Sequence, residues 1–414
     1  MKLALVDLLF AYPSRGGAGV DLVETFRRLQ PDVTVRLFVP AWDGAHPRGT
    51  LDAVPPLPVE RVPIPAPLTR ESVVEWLTAA IERWNPDRVF MSDGWTLKPF
   101  MALALEKTFP LILRFYAWEM LCPRNNERWL WDHKCSNSML LDSPRCLACA
   151  RDYHDIIASK RGPTGNPLTF EMDLARLWEV GYPSAVRAAV QKASTIVVYN
   201  QPLAAHLRDR LSTDARFPVP PIEVLPGGVD PAAFPWRAPV KTSGPLRILV
   251  FGRMDDPAKG AQTAIEAGIR LADDKFPFVM TVTRRPTLDH AWLRESGWQS
   301  RESVRELLAD ADVAVMPSLW DEAFGMTWVE ALCAGVPTIV SATAGPLSYL
   351  THDLQCLMFE PGDVSGLVNQ IRTLADSFEL RTRLSVAGRA DVMARFTWDQ
   401  AAERMKRILA QTGS

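Results

Sequence analysis

Glu322 and Glu330 stand with seven residues between them in the run from Pro317 to Pro337. A carboxylate can accept hydrogen bonds from two neighbouring hydroxyls, so such a pair suits recognition of a ribose or hexose edge. The plainer alternative is one exposed loop acid and one acid on a helix face. Upstream, Phe251-Gly252-Arg253-Met254 is followed by Lys259-Gly260. Arg offers a planar fork of donors and Lys a movable point charge, and together Arg253 and Lys259 could neutralise a diphosphate. The alternative there is a pair of solvated loop cations. Near the start lies Ser14-Arg15-Gly16-Gly17-Ala18-Gly19. Glycines ahead of a helix let an anion or sugar approach backbone N–H groups at its positive end, and they equally suit a tight turn. The run is neither Gly-x-Gly-x-x-Gly nor a Walker A loop, which removes the main signature of a nicotinamide enzyme and of a P-loop kinase.

Cys122, Cys135, Cys146 and Cys149 are spaced Cys-x12-Cys-x10-Cys-x2-Cys. Four thiolates complete a tetrahedral structural zinc site, and the closing Cys-x2-Cys has ligand spacing. Two disulfides, or four separate reduced thiols, are the competing readings. A catalytic zinc is not expected, because all four positions would be filled. Cys333 and Cys356 read as core cysteines. Asp93, in Asp93-Gly94-Trp95, either orients an acceptor hydroxyl or forms a turn. His133 and His154 read as surface or supporting residues.

These residues need elements to place them just beyond strand ends. Leu3 to Phe10 reads as a buried strand, Gly19 to Leu29 as a helix with Val20, Val23, Phe26 and Leu29 inward, and Val33 to Val39 as a strand. Val73 to Trp84 (helix), Arg88 to Met91, Leu111 to Tyr116 and Thr195 to Tyr199 (strands) continue the series. A second series runs through Leu246 to Phe251, Phe276 to Val282, Asp312 to Met316 and Thr338 to Ser341. Gly325 opens a helix that Gly335 caps. The alternation predicts α/β architecture with two doubly wound domains facing across a cleft. The proline-rich Phe217 to Pro221 and the run Pro235 to Pro239 bracket a boundary, with the linker expected at 235–244.

Composition excludes several classes. The 414 residues are 47% hydrophobic and 23% charged, as in an ordinary folded chain of two or three domains. With 46 Lys plus Arg against 48 Asp plus Glu, the net charge of −2 supplies no field for holding nucleic acid. No apolar run reaches the length of a membrane span. Six cysteines in so long a chain fit a reducing compartment, and a cytoplasmic location is expected. The start reads as a first strand rather than a signal peptide.

Taken together, the motifs resemble the retaining GT-B glycosyltransferases of the large family 4 (group 1) class. In that class a Glu-x7-Glu element, a Gly-Arg followed by Lys-Gly, and an N-terminal Gly-Gly loop recur. Leu225-Pro226-Gly227-Gly228-Val229-Asp230 with Phe234 resembles the segment crossing between its domains, and Ala394-Arg395-Phe396-Thr397-Trp398 the region before its last helix. The resemblance covers nearly the whole chain. It implies an acceptor-binding Rossmann-like domain over 1–234 with a cysteine-rich insertion at 117–150, and a donor-binding Rossmann-like domain over 245–396. Residues 397–414 would form a helix crossing back to the first domain.

Carried over by motif, the resemblance implies that Arg253 and Lys259 hold the diphosphate, Glu322 the transferred sugar and Glu330 the ribose. The amides near Phe324, Gly325 and Met326 would meet sugar or phosphate, and Gly16 and Gly17 the leaving group. The partners implied are a nucleotide-diphosphate sugar and a sugar, lipid-linked or small-molecule acceptor, with peripheral membrane contact left open. No cofactor is expected for catalysis. Two positions depart from the family pattern. Six residues before Cys122-Pro123-Arg124, where many members carry a His, stands Tyr116, which donates a hydrogen bond but does not serve as an imidazole base. Thr283-Arg284-Arg285-Pro286 replaces a frequent Gly-x-Gly turn. Rival readings are a nucleotide-sugar epimerase on the same fold and a non-catalytic nucleotide-sugar binding protein.

Overall fold

Apolar runs buried on both faces, separated by amphipathic helices, build two parallel sheets. The computed structural model describes residues 1–14, 16–42, 49–124, 127–130, 132–159, 167–213, 218–241 and 243–411. Arg15 of the glycine run, Phe217 of the proline-rich stretch and Thr242 of the expected linker lie outside the described residues.

In chain order the first series is β1 (Lys2–Val6), α1 (Gly17–Arg27), β2 (Thr34–Ala41), β3 (Val59–Pro63), α2 (Arg70–Trp84), β4 (Arg88–Met91), α3 (Lys98–Leu105) and β5 (Leu111–Arg114). A short hairpin, β6 (Trp129–Leu130) and β7 (His133–Lys134), precedes α4 (Ser143–Ser159), α5 (Pro167–Leu174), α6 (Tyr182–Lys192), β8 (Thr195–Val198), α7 (Gln201–Leu211) and β9 (Ile222–Val224). The second series is β10 (Leu246–Val250), α8 (Ala261–Asp273), β11 (Phe278–Val282), β12 (Leu293–Glu295), α9 (Arg301–Asp310) and β13 (Val313–Met316). It continues through α10 (Met326–Ala334), β14 (Thr338–Ser341), α11 (Ala344–Tyr349), β15 (Leu357–Phe359), α12 (Val364–Asp376), α13 (Phe378–Arg395) and α14 (Trp398–Gln411).

The first sheet has the order β3-β2-β1-β4-β5-β8-β9 and the second β12-β11-β10-β13-β14-β15. Every neighbouring pair within these two sheets is parallel. In each sheet the strand order reverses direction once, between β1 and β4 and between β10 and β13. Such a switch point is where an open parallel sheet leaves room for a ligand beyond its carboxyl edge.

The chain divides into two compact units. One comprises Met1 to Arg128, Cys135 to Pro226 and the chain from Ala401 on, and the other comprises Trp129–Lys134 and Gly227–Gln400. In the first unit, Ala402, Met405, Ile408 and Leu409 of α14 pack among Leu3, Leu22, Phe26 and Val35. From the same helix, Lys406 pairs at 2.8 Å with Asp32 of the loop between α1 and β2. In the second unit, Phe324, Trp328, Tyr349 and Phe396 form an edge-on aromatic cluster.

The first strand is shorter than its apolar run. The ladder stops at Val6 because the Asp7 carboxylate accepts the Leu9 N–H at 2.9 Å while the Leu8 N–H donates to the Asp93 carbonyl. Those bonds turn Leu8, Leu9 and Phe10 out of the sheet and into the core. Likewise β5 ends at Arg114, and Tyr116 stands in the loop beyond it.

Candidate active site

In the second unit the candidate residues gather beyond β10 and β13. A tight 3-10 turn over Pro257–Lys259, started by the Asp256 carboxylate accepting the Ala258 N–H, lifts Lys259 from the loop after β10. The next residue, Gly260, has φ +72°, and a Cβ there would collide with the Pro317 carbonyl oxygen beyond β13. Glycine is therefore required for the two loops to touch. Leu319 N–H donates to the Ala258 carbonyl at 2.8 Å and locks the same contact.

That approach brings Lys259 to Glu322. The ammonium lies 2.8 Å from Oε1 and 2.9 Å from Oε2 of the carboxylate, and 4.8 Å above the Trp320 ring. The Ser318 hydroxyl donates to Glu322 Oε2 at 2.8 Å. Burial opposes ionisation of Glu322, but Lys259, the Ser318 bond and Arg253 outweigh it and hold the carboxyl below its usual range. Arg253 is half exposed in the loop after β10, with Asp256 at 3.5 Å.

The loop after Glu322 ends at Gly325, whose φ of +94° and ψ of 79° swing the chain into α10 with no side-chain cap on its first N–H groups. These amides form an anion-accepting end. Phe324 is buried in the aromatic cluster and receives the Trp328 indole N–H on its carbonyl at 2.7 Å, so its side chain is structural. Gly345 N–H donates to the Glu322 carbonyl at 2.7 Å, and a Cβ on Gly345 would crowd the carbonyls of Glu322 and Phe324. Glu330, on α10, lies 3.4 Å from Arg301 of α9; burial pushes its carboxyl up and Arg301 opposes that.

The segments flanking the second unit's sheet meet here as well. Val229 N–H donates to the Phe396 carbonyl and Trp398 N–H to the Val229 carbonyl, pairing the segment around Gly227 and Gly228 with the stretch before α14. Gly227 lies against Phe324 and Met326, where a Cβ would come within 2.8 Å of the Phe324 ring.

In the first unit the switch point lies beyond β1 and β4. Gly16, in extended backbone, caps α1 without a side chain, and a Cβ on it would meet open space. Gly17 opens the helix. Asp93 Oδ1 accepts the Gly94 N–H at 2.7 Å, which is the turn geometry. Beside it, Asp7 accepts the Ser92 hydroxyl at 2.8 Å, and Ser92 Oγ lies 3.0 Å from the Tyr116 hydroxyl. Burial and the nearby Asp93 push the Asp7 carboxyl up to about 7. Burial also raises the Tyr116 phenol well above its ordinary range, so it stays protonated. Arg114 stacks on Tyr199 at 4.1 Å and Tyr116 at 5.1 Å while pairing with Asp21 of α1 at 2.9 Å.

Three buried polar atoms at these loops lack a partner among the described residues: Ser14 Oγ, Trp320 Nε1 and Thr343 Oγ1. Sequence motifs missed Asp7, Ser92, Ser318, Trp320 and Arg301. Ser318 and Trp320 sit inside the quoted Pro317 to Pro337 run and were readable as its polar members; the other three carry no motif.

The four clustered cysteines all belong to the first unit, and among the described residues they form no group placed to hold a metal ion. Cys333 and Cys356 are fully buried, in keeping with core roles. His133 is exposed beside Asp132, and His154 lies 2.9 Å from Asp173.

Residues 294–391, from β12 into α13, match the family model described as Glycosyl transferases group 1. Over 97% of this chain and 96% of the relative, the sequence is 27% identical to MMP alpha-(1->4)-mannosyltransferase of Mycolicibacterium hassiacum. The chain is a glycosyltransferase that resembles the group 1 class over its C-terminal part. Another relative by sequence is glycogen synthase of Mycobacterium tuberculosis, 30% identical over 44% of this chain and 46% of that one. The fold is that of GT-B glycosyltransferases. Sucrose-phosphate synthase from Thermosynechococcus elongatus superposes with a TM-score of 0.69 at 17% identity, covering 99% of this chain and 98% of that one. HepE of Anabaena, in complex with UDP and glucose, gives 0.65 at 14% identity over 99% and 100%. This glycosyltransferase has, among its described residues, no helix long and apolar enough to cross a membrane.

Proposed function

We propose that this glycosyltransferase moves a hexosyl group from a nucleotide-diphosphate sugar to a hydroxyl acceptor, with retention at the anomeric carbon and without a catalytic metal. The supporting observation is the Lys259–Glu322 contact beyond β10 and β13, with Arg253 and the uncapped amides of α10 beside it. An ammonium has three N–H donors, and Glu322 takes two, so Lys259 can hold the acid and still reach a phosphate oxygen. Full-length similarity to a mannosyltransferase, and structural likeness to HepE bound to UDP-glucose, both favour a nucleotide-sugar donor.

In this reading Arg253 and Lys259 take the diphosphate, Glu322 the hydroxyls of the transferred sugar and Glu330 the ribose. The amides of Gly325 and Met326 approach sugar or phosphate, and Gly16 and Gly17 the leaving group. Asp93 and Tyr116 serve the sugar or acceptor, within an acceptor-binding N-terminal domain. During transfer the bond from the anomeric carbon to the diphosphate breaks as the acceptor oxygen bonds on the same face, and a leaving phosphate oxygen takes the acceptor proton. Negative charge grows on the diphosphate, and fixed cations and amides stabilise it without reorganising. Tyr116, protonated and tied to Ser92, can direct a hydroxyl but takes no proton.

The test is a thermal-shift screen of UDP-, GDP- and dTDP-sugars, mannosyl and glucosyl donors first, followed by product analysis. A donor at about a hundred times its Kd stabilises the fold by roughly 2.7 kcal/mol. Glycoside formed only with acceptor supports transfer. Donor converted to another nucleotide sugar without acceptor would make the chain an epimerase, and tight binding with no turnover would make it a binding protein.

A further inference from the structure

We propose that Arg301 is a positioning residue that holds Glu330 charged and aimed at the ribose, which makes the donor site selective for a ribonucleoside diphosphate over its 2′-deoxy counterpart. This deepens the proposed function and rests on its reading of Glu330 as the ribose-binding acid. Ser300 caps α9 by accepting the Ser303 N–H at 3.1 Å, so Arg301 opens the helix. From there its guanidinium donates to Glu330 Oε1 at 3.4 Å, across 29 positions of sequence. The guanidinium also lies 5.9 Å from the ring of Phe234, a buried residue whose carbonyl accepts from Arg389 at 3.2 Å. The Glu330 side chain is 12% exposed and that of Arg301 44%, so the acid is enclosed and the base reaches it from the solvent side.

Glu322 and Glu330 are prepared in different ways. Lys259 takes both oxygens of Glu322, at 2.8 and 2.9 Å. Arg301 meets one oxygen of Glu330 at a longer distance, and among the described residues no donor meets Oε2. Each carboxylate oxygen has two lone pairs, so Glu330 keeps the acceptors that two vicinal hydroxyls require. Those bonds are strong only when the acid is ionised. Burial works against ionisation, and Arg301 is the cation that opposes it. The other charged groups near this stretch of α10 do not take its place. Arg389 of α13 and Asp230 of the segment before β10 face Cys333, three residues further on, and Arg389 donates to the Phe234 and Cys333 carbonyls. Arg305, a turn along α9, pairs with Glu302 at 3.3 Å. An ionised Glu330 accepts from both the 2′- and the 3′-hydroxyl, whereas a 2′-deoxyribose leaves one of its acceptors unpaired. A site built to bond a hydroxyl rejects the analogue that lacks it. UDP- and GDP-sugars are therefore favoured over dTDP-sugars.

The experiment is titration calorimetry of the full chain with UDP and GDP, each beside its 2′-deoxy form, in a pH series. At pH 8 the wild type should prefer the ribose form of the diphosphate it binds by roughly ten-fold or more. The preference should shrink at low pH, as Glu330 takes a proton. Arg301→Gln keeps hydrogen-bond donors but not the charge. It should reduce the preference several-fold and move the midpoint of its pH profile upward, because the acid then protonates at higher pH. Arg301→Lys should restore part of both. A merely structural role would lower the melting point and leave the preference and the midpoint where they are. Should Arg301→Gln not fold, Arg301→Met, which matches the stem without the charge, gives the same comparison. An uncharged variant that keeps the wild-type preference and midpoint overturns the proposal while Glu330 retains its assigned role. A wild type that binds ribose and deoxyribose forms alike, with Glu330→Ala changing neither, overturns the reading of Glu330 and this proposal with it. Binding of neither diphosphate to the wild type overturns the donor reading itself.

Discussion

Lys259 Nζ bridges both carboxylate oxygens of Glu322, at 2.8 and 2.9 Å, across 63 positions of sequence. The two residues meet because β10 and β13 are adjacent strands and Gly260 lets the loops beyond them touch. The pair favours the ionised form of Glu322 and keeps Lys259 fixed rather than trailing in solvent.

Glu330→Ala should weaken donor binding while leaving the fold intact. A hydrogen bond to a charged group contributes about 1.5 to 3 kcal/mol, or roughly 10- to 150-fold in Kd. Titration calorimetry with the donor, beside a melting curve, checks it. Unchanged affinity with a lowered melting point would make the Glu330–Arg301 pair structural.

Two glycine substitutions should separate scaffold from ligand contact. Gly260→Ala forces a side chain into φ +72° and against the Pro317 carbonyl, which should cost at least about 2 kcal/mol of stability. Gly16→Ala adds a methyl in open space at an extended φ of −151°, so stability should stay within about 0.5 kcal/mol. If Gly16 approaches the leaving group, the same methyl should still lower donor affinity. Denaturant midpoints and donor titrations of both variants give the comparison.

Asp7 predicts a pH dependence of opposite sign to the usual carboxylate. Its carboxyl is pushed from 3.8 to about 7 in the fold, so the folded chain binds more protons than the unfolded one between those values. Stability at this site is therefore present below about pH 4 and is lost as pH rises toward 7, by on the order of 4 kcal/mol at most. Asp7→Asn should remove that slope. Urea unfolding at pH 5 and pH 8 reads it, and an equal loss in both proteins would contradict the assignment.

Much of the candidate site was legible in the sequence because its residues stand in short runs next to strand ends. Gly325 and Gly335 bound α10 as the sequence implied; the αL glycine at its C-terminal end is the ordinary local stop of a helix. Strand ends were less legible. Leu3 to Phe10 is apolar throughout apart from Asp7, and only the long-range bonds to Ser92 and Asp93 show that the ladder stops at Val6. The Arg114–Asp21 pair and the Asp7–Ser92–Tyr116 chain were invisible for the same reason: their members lie 24 to 93 residues apart and meet only through the strand order. The two-residue strands of the hairpin, β6 and β7, are too short to produce a period.

Single-turnover transfer at saturating donor and acceptor is the most direct test of the catalytic assignment, since it removes product release from the rate. In the proposed reading Lys259 and Arg253 face the diphosphate where charge grows as the sugar departs, so their contribution should be larger in the transition state than in the bound donor. Lys259→Ala and Arg253→Ala should each slow the chemical step by about 100- to 1000-fold, far more than Glu330→Ala does under the same conditions. Both variants transferring sugar at the wild-type rate once donor is saturating would contradict the account, leaving the pair as anchors of the nucleotide alone.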